Sequence, residues 1–127
     1  MKKVIFACVH NAGRSQMAAA WFNHLAQGGR AISAGTDPAD CVHPEVLEVM
    51  NEAGIDLSLA RPQKLTEDLA RGADLLVTMG CGDNCPYVPG LAVEDWPLED
   101  PKGKSKERVR EIRDEIREHV DELLRRR

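Results

Sequence analysis

Residues Val4 to Ser15 read VIFACVHNAGRS, in which a short apolar run ends at Cys8 and Arg14 follows six residues later, next to Ser15. The apolar run predicts a buried parallel strand, and the residues after Ser15 predict a helix. A loop between them can surround a tetrahedral oxyanion with backbone N–H groups, while the helix amino terminus and Arg14 add positive potential. A cysteine inside such a loop ionises readily, because the thiolate is itself an anion. The stretch therefore predicts an anion-binding loop that carries its own nucleophile.

The bulk composition indicates one small soluble domain. The chain has 127 residues, of which 43% are hydrophobic and 30% charged, so we expect a single core. Its formal net charge of −4 argues against nucleic-acid binding by phosphate neutralisation. The apolar run from Val4 to Ala7 is too short for a membrane span or a signal-peptide core. We therefore expect one domain over residues 1–127, in a cytoplasmic monomer that does not contact a membrane.

Apolar periodicity and turn residues divide the chain into alternating strands and helices. The predicted strands are Lys3–Ala7, Arg30–Ala34, Asp74–Met79 and Val93–Trp96. The predicted helices are Ser15–Gln27, Pro44–Ala53, Thr66–Arg71 and a charged helix from about Lys104. Residues 80–90 are rich in glycine and proline and predict a loop. This alternation predicts a three-layer α/β sandwich in which a four-stranded parallel sheet is flanked by helices.

The residues around Cys8 suit the chemistry of an oxyanion site. Arg14 can present a planar fork to two oxygens, which a lysine cannot do. Ser15 can donate its hydroxyl to the sulfur of Cys8, Gly13 permits a positive φ, and Asn11 can hydrogen-bond across the loop. The alternative is that Cys8 is a buried, unreactive cysteine at a strand end.

A second candidate is Asp100, far along the chain from the loop. A thiolate that attacks a tetrahedral oxyanion needs a proton donor for the departing oxygen. Asp100, stiffened by Pro101, can supply that proton from a loop on the far side of the pocket. Asp-Pro is also an ordinary turn sequence, and residues 99–103 are rich in turn formers. Spacing alone leaves both interpretations open.

Residues 8–18, CVHNAGRSQMA, resemble the signature loop of the low-molecular-weight protein tyrosine phosphatase family, and more narrowly that of the arsenate reductases built on the same fold. The resemblance covers essentially the whole chain and includes residues 33–36 (SAGT), 77–86 (VTMGCGDNCP) and 96–101 (WPLEDP). It implies a flavodoxin-like, low-molecular-weight phosphatase-like fold. It also implies an enzyme that reduces arsenate to arsenite for arsenic detoxification.

The resemblance gives roles to the loop residues. It implies that the Cys8 thiolate attacks arsenic(V) to form an arseno-cysteine, that Ser15 favours the thiolate, and that Asp100 protonates the leaving hydroxyl. The oxyanion would be bound by the Arg14 side chain and by the backbone N–H groups of the loop, namely those of Val9, His10, Asn11, Ala12 and Gly13. We expect no metal ion and no bound cofactor.

Cys81 and Cys85 separate a reductase from a phosphatase, because a phosphatase releases its phospho-cysteine with water and needs no further thiol. The resemblance implies that Cys81 attacks the arseno-cysteine, so that arsenite leaves and a Cys8–Cys81 disulfide forms. Cys85 then attacks Cys81, and thioredoxin reduces the resulting Cys81–Cys85 disulfide. Three alternatives stay open: a small thiol such as mycothiol or glutathione completes the cycle, the two cysteines are half of a zinc site, or both are inert.

The chain departs from the family pattern at a few positions. Gly13 stands where many thioredoxin-linked members have a cysteine, and Ala19 stands where some members have a potassium-binding glutamate, so we predict no potassium site. Cys41 matches no motif element. No tyrosines follow Asp100 and Pro101 to line an aryl phosphate pocket, which favours a small inorganic oxyanion.

Two other functions remain as alternatives. The first is a phosphatase that acts on phosphotyrosine or on small phosphoesters, since arsenate and phosphate are nearly isosteric. The second is a sensor that binds oxyanions without catalysis. Asp100 counts against the sensor, because binding alone does not need a general acid.

Overall fold

A central parallel sheet organises the chain. A computed structural model describes residues 3–26, 30–80 and 89–126. In chain order its elements are β1 (Lys3–Cys8), α1 (Arg14–Leu25), β2 (Arg30–Gly35), α2 (Pro44–Glu52), α3 (Glu67–Arg71), β3 (Leu75–Thr78), β4 (Ala92–Asp95) and α4 (Lys106–Arg125). The four strands pair in the order β2-β1-β3-β4, and each of these pairings is parallel. The predicted four-stranded parallel sheet is confirmed.

Side chains of β1 alternate between the two faces of the sheet. Val4, Phe6 and Cys8 belong to the larger apolar cluster, in which residues of α1, α2 and α4 cover the sheet. Ile5 and Ala7 belong to a second cluster on the opposite face, which includes part of α3. Helices therefore enclose the sheet from both sides, as the three-layer prediction requires.

Helix boundaries follow capping side chains. α4 begins at Lys106, slightly later than predicted, because the hydroxyl of Ser105 accepts the backbone N–H of Arg108. Thr66 caps α3 in the same way, as predicted. The predicted end of the first helix, Gln27, lies outside the described residues.

α4 is amphipathic over its 20 residues. Five apolar residues at a spacing of three or four are buried against the sheet side, namely Val109, Ile112, Ile116, Val120 and Leu123. Arginine and glutamate side chains occupy its other face, as predicted for a solvated helix surface. Neither α4 nor another helix within residues 3–26, 30–80 and 89–126 is long and apolar enough to cross a lipid bilayer.

The strand order creates one crevice at the carboxyl ends of the strands. β1 lies between β2 and β3, so the chain leaves β1 toward one side of the sheet and later returns to build the other side. Ligands of open parallel α/β sheets bind outside the carboxyl ends of the strands, where the strand order reverses in this way. Cys8 ends β1, Thr78 ends β3 and Asp95 ends β4, so the residues directly after these three start from the same edge of the sheet.

Candidate active site

The loop of residues 8–15, called the oxyanion loop below, turns its carbonyl groups outward. The carbonyl oxygens of residues 8–10 and 12 accept backbone N–H groups of the neighbouring segment 36–43, at 2.8–3.2 Å. The carbonyl oxygens of Asn11 and Gly13 accept from the Gln16 side chain and the Met17 N–H, both at 3.0 Å. Six consecutive carbonyl groups are thus satisfied on the outer side of the loop.

The N–H groups of the same loop face its inner side. In a trans peptide the N–H of each residue points away from the preceding carbonyl, and the described chain contains no cis peptide bond. Within the described ranges, no protein group accepts a hydrogen bond from the N–H groups of residues 10–13. α1 begins at Arg14, so its positive end points to the same place. The loop can therefore bind a tetrahedral oxyanion at its centre.

The thiol of Cys8 is buried at the end of β1 and is hydrogen-bonded to the loop's serine. Its Sγ lies 2.9 Å from Ser15 Oγ, which in turn accepts from Asn11 Nδ2 at 2.7 Å. The backbone N–H of Gln63 donates to Asn11 Oδ1 at 2.9 Å. Because an N–H group can only donate, its partner must be the oxygen of the Asn11 amide, and this fixes how that amide faces. Ser15 therefore receives one hydrogen bond and has its own hydroxyl hydrogen available for the sulfur. A thiolate accepts such a hydrogen bond more strongly than a thiol does.

Arg14 is enclosed by the segments that follow β3 and β4. Its Nη1 donates to the Leu98 carbonyl at 3.0 Å, and its Nη2 lies 3.8 Å from Asp100 Oδ2. Gly80 covers the guanidinium, since a Cβ at this glycine would lie 2.7 Å from Nη1. Gly80 also has a φ of +95°, a conformation that favours glycine. A guanidinium has five N–H donors, so it retains donors for an oxyanion after these contacts.

Asp100 stands at the rim of the crevice with a half-exposed side chain. Its Oδ1 accepts the backbone N–H of Lys102 at 3.0 Å, while its Oδ2 faces Arg14. The following Pro101 packs directly on the oxyanion loop, because a Cβ at Gly13 would lie 2.8 Å from Pro101 Cγ. The glycine at position 13 thus allows the Asp100 segment to approach the loop closely.

The neighbouring carboxylate, Glu99, contacts Lys104 and α4 rather than Arg14. Lys104 Nζ lies 3.0 Å from Glu99 Oε2, and Arg108 Nε donates to Oε1 at 2.6 Å. These hydrogen bonds, that of Lys104 first, hold the pKa of Glu99 below its usual range. Glu99 therefore stays ionised and anchors the segment, which leaves Asp100 as the carboxylate beside Arg14.

Four other residues that the sequence brings into question are His10, Cys41, Cys81 and Cys85. The ring of His10 donates from Nδ1 to the Asp37 carbonyl at 2.9 Å, so it turns toward the segment 36–43. Cys41 lies exposed in that same segment. Cys81 and Cys85 lie outside the described residues. Among the residues that are described, no group of three or more His, Cys, Asp and Glu side chains is arranged to hold a metal ion.

The contacts at the site that were not predicted from the sequence include the following three. The Leu98 carbonyl and Gly80 both contact Arg14, and Gln16 contacts Asn11. The sequence could have indicated the Gly80 contact, since a glycine stands directly before Cys81. For Leu98 and Gln16 no local pattern pointed to the contact.

Comparisons with known proteins agree with this geometry. Residues 3–126 match the family described as low molecular weight phosphotyrosine protein phosphatase. The solved structure of a Corynebacterium glutamicum thioredoxin-dependent arsenate reductase is 44% identical, with a TM-score of 0.85. The match covers 98% of this chain and 61% of that chain, so this chain spans about three fifths of that protein's length.

Two further relatives are named for two different activities, one as an arsenate reductase and one as a protein tyrosine phosphatase. A Synechocystis protein named glutaredoxin arsenate reductase is 37% identical, and the match covers 98% of this chain and 97% of the relative. A low molecular weight protein tyrosine phosphatase from T. tengcongensis has a TM-score of 0.88 at 26% identity, and the match covers 100% of both chains. The chain therefore belongs to the low molecular weight phosphotyrosine protein phosphatase family, as the sequence of its oxyanion loop predicts.

Proposed function

We propose that this protein reduces arsenate to arsenite and so serves arsenic detoxification, with Cys8 as the nucleophile. The observation that carries the proposal is the oxyanion loop, in which the Cys8 sulfur lies 2.9 Å from Ser15 Oγ while the carbonyl groups around it are turned outward. Relatives that match nearly the whole of this chain are named arsenate reductases, at 37% and 44% identity.

The first step joins sulfur to arsenic. The N–H groups of residues 9–13 and the Arg14 guanidinium bind three arsenate oxygens, so that the Cys8 thiolate faces arsenic. The thiolate forms an S–As bond, and one oxygen leaves as water after it takes a proton from Asp100. The position of Asp100 beside Arg14 supports this role, because a donor there is next to the bound oxyanion.

The second and third steps transfer two electrons through the cysteines. The Cys81 thiolate attacks the sulfur of Cys8, the S–As bond breaks, and its electron pair stays on arsenic, which departs as arsenite. Cys85 then attacks Cys81, which frees the Cys8 thiolate and leaves a Cys81–Cys85 disulfide. An external dithiol reduces that disulfide and completes the cycle.

One contact and one sequence feature favour reduction over phosphate ester hydrolysis. Gly80 lies against Arg14, so the chain enters the cysteine-bearing segment directly at the anion-binding side chain. Lys102 and Gly103 follow Pro101 where a phosphotyrosine pocket needs aromatic side chains. A small inorganic oxyanion therefore suits this site better than an aryl phosphate.

We assign the reductant role to thioredoxin, with mycothiol or glutathione as the alternatives. The names of the relatives include both a thioredoxin-dependent enzyme and a glutaredoxin enzyme. Every residue of the proposed cycle belongs to this one chain, so a monomer with a single domain is sufficient. A cycle that consumes free thiols suits the reducing cytoplasm.

A coupled assay tests the function and the relay together. The protein is incubated with NADPH, thioredoxin reductase, thioredoxin and arsenate, and the arsenate-dependent oxidation of NADPH is recorded. Cys81→Ser and Cys85→Ser should each lose multiple turnover, whereas Cys41→Ser, the matched control, should keep it. Unchanged turnover in Cys85→Ser rejects the intramolecular relay.

The same preparations test the phosphatase alternative, which the shared fold supports through the phosphatase relative. Rapid cleavage of p-nitrophenyl phosphate without arsenate-dependent NADPH oxidation would establish the phosphatase instead. Replacing thioredoxin with glutathione and glutaredoxin, or with mycothiol, distinguishes the reductants.

A further inference from the structure

Gln16 is buried in the first turn of α1, with 5% of its surface exposed. Its side-chain Nε2 donates to the Asn11 carbonyl at 3.0 Å and approaches Asn11 Oδ1 at 3.3 Å. Both acceptors belong to one residue, which is itself completely buried in the oxyanion loop. Gln16 thus holds the backbone and the side chain of Asn11 at the same time.

Asn11 needs such support because its backbone is strained. Its φ is +53°, a left-handed conformation that is uncommon for residues other than glycine. The contacts of its side-chain amide direct Nδ2 at Ser15 and Oδ1 at the Gln63 N–H. The correct facing of this amide is what leaves the Ser15 hydroxyl hydrogen available for the Cys8 sulfur.

We infer that Gln16 is a positioning residue for the Cys8 thiolate, acting through Asn11 and Ser15. The inference rests on the proposed function only for its consequence in turnover, since its direct effect is on the thiol. Without the Gln16 N–H donors, the Asn11 carbonyl loses a buried partner and its amide loses one of the contacts that orient it. The Ser15 hydroxyl is then free to turn away from the sulfur, and the thiolate is less stabilised.

The test is the rate at which iodoacetamide alkylates Cys8. Serine replaces Cys41, Cys81 and Cys85 in every protein compared, so that Cys8 is the single remaining thiol. Gln16→Met removes the donors at nearly the same length. We expect its alkylation rate at pH 6 to fall about fivefold, the effect of one lost hydrogen bond, and to approach the rate of the parent protein at high pH, where the thiol is deprotonated in both proteins.

Asn23→Leu is the matched control. Asn23 is a second amide on α1, and it exchanges two hydrogen bonds with the backbone of Ala31, at 2.8 and 2.9 Å, far from the oxyanion loop. Its loss should lower the melting temperature and leave the alkylation rate unchanged. Equal slowing in Asn23→Leu and Gln16→Met would mean that general loosening of α1 explains the effect, and would overturn the inference.

Gln16→Glu is a second variant, which provides the test if Gln16→Met does not fold. The glutamate has the same shape, and its ionised form donates no hydrogen bond, so it should also slow alkylation. Alkylation at the parent rate in whichever variant is folded by circular dichroism overturns the inference. Because alkylation needs no arsenate, an inactive enzyme in the coupled assay rejects the proposed function and leaves this result standing.

Discussion

The oxyanion loop and the surface between α2 and α4 are both held by dense polar networks, but the networks are opposite in kind. The loop is held by buried neutral groups, the amides of Asn11 and Gln16 and the hydroxyl of Ser15. The surface is held by exposed charges, in which Arg110 binds Glu52 through two hydrogen bonds of 2.8 Å.

Burial and charge determine how each network responds when one of its partners is lost. A buried donor that loses its partner has no water to replace it, so the loop tolerates only one arrangement of its hydrogen bonds. Exposed ion pairs exchange easily with water and contribute little, and what they contribute depends on pH. Changes in the loop should therefore act mainly on the rate of the chemistry, and changes on the surface should affect stability slightly.

Cys8→Ser should produce the largest effect on the loop side. Serine keeps the hydrogen bond to Ser15 but has no thiolate, so arsenate turnover in the coupled assay should fall about 10⁴-fold or more. Thermal unfolding should stay close to that of the wild type, since the side chains are nearly isosteric. Turnover that survives this change would remove Cys8 from the mechanism.

Arg14→Lys keeps the positive charge and removes the planar fork. The three N–H groups of a lysine share one nitrogen and cannot span the Leu98 carbonyl and two oxyanion oxygens as the planar fork does, so kcat/KM for arsenate should fall about 10²- to 10³-fold. Arg117→Lys on the exposed face of α4 is the control and should leave kcat/KM unchanged. A loss that appears equally in both variants would contradict a specific role for the Arg14 fork.

The local parts of this site could be read from the sequence, and the distant contacts could not. An apolar run, a helix period and turn residues predict the strand, the loop and the helix around Cys8, because these patterns act over a few residues. Arg14 meets the Leu98 carbonyl across 84 positions of the chain, and Asn11 meets the Gln63 N–H across 52. Such contacts depend on the order of strands in the sheet, which no local pattern encodes.

Gly80→Ala should have the next largest effect. An added Cβ would lie 2.7 Å from Arg14 Nη1, so the guanidinium must shift and kcat/KM for arsenate should fall about tenfold. Gly54→Ala is a matched control, because Gly54 also has a positive φ, +85°, but a Cβ there would meet nothing within 4 Å. Both variants should lose stability from backbone strain, about 1 kcal/mol each by thermal unfolding. Equal kcat/KM in the two variants would show that contact with Arg14 is unimportant.

Glu52→Gln breaks the exposed network and should have the smallest effect. The hydrogen bond from Arg110, supported by the charges of Arg110 and Arg113, lowers the pKa of Glu52 from 4.5 to about 2. A carboxyl whose pKa is lower in the folded state stabilises the protein above pH 4.5, and this contribution disappears as the pH falls from 4.5 to about 2. The melting temperature of Glu52→Gln should therefore be slightly below that of the wild type at pH 7, and the two should converge near pH 2.

A second glutamate separates this ion pair from the general effect of net charge. Glu118 lies exposed on α4 and forms no ion pair within the described part of the chain, so Glu118→Gln removes the same charge without breaking a contact. Circular dichroism melting from pH 7 to pH 2 should show a gap that closes with acidification for Glu52→Gln alone. If both variants follow the same curve, the net charge of the protein governs its acid stability. The exposed ion pairs then contribute no specific interaction, and the contrast with the oxyanion loop does not hold.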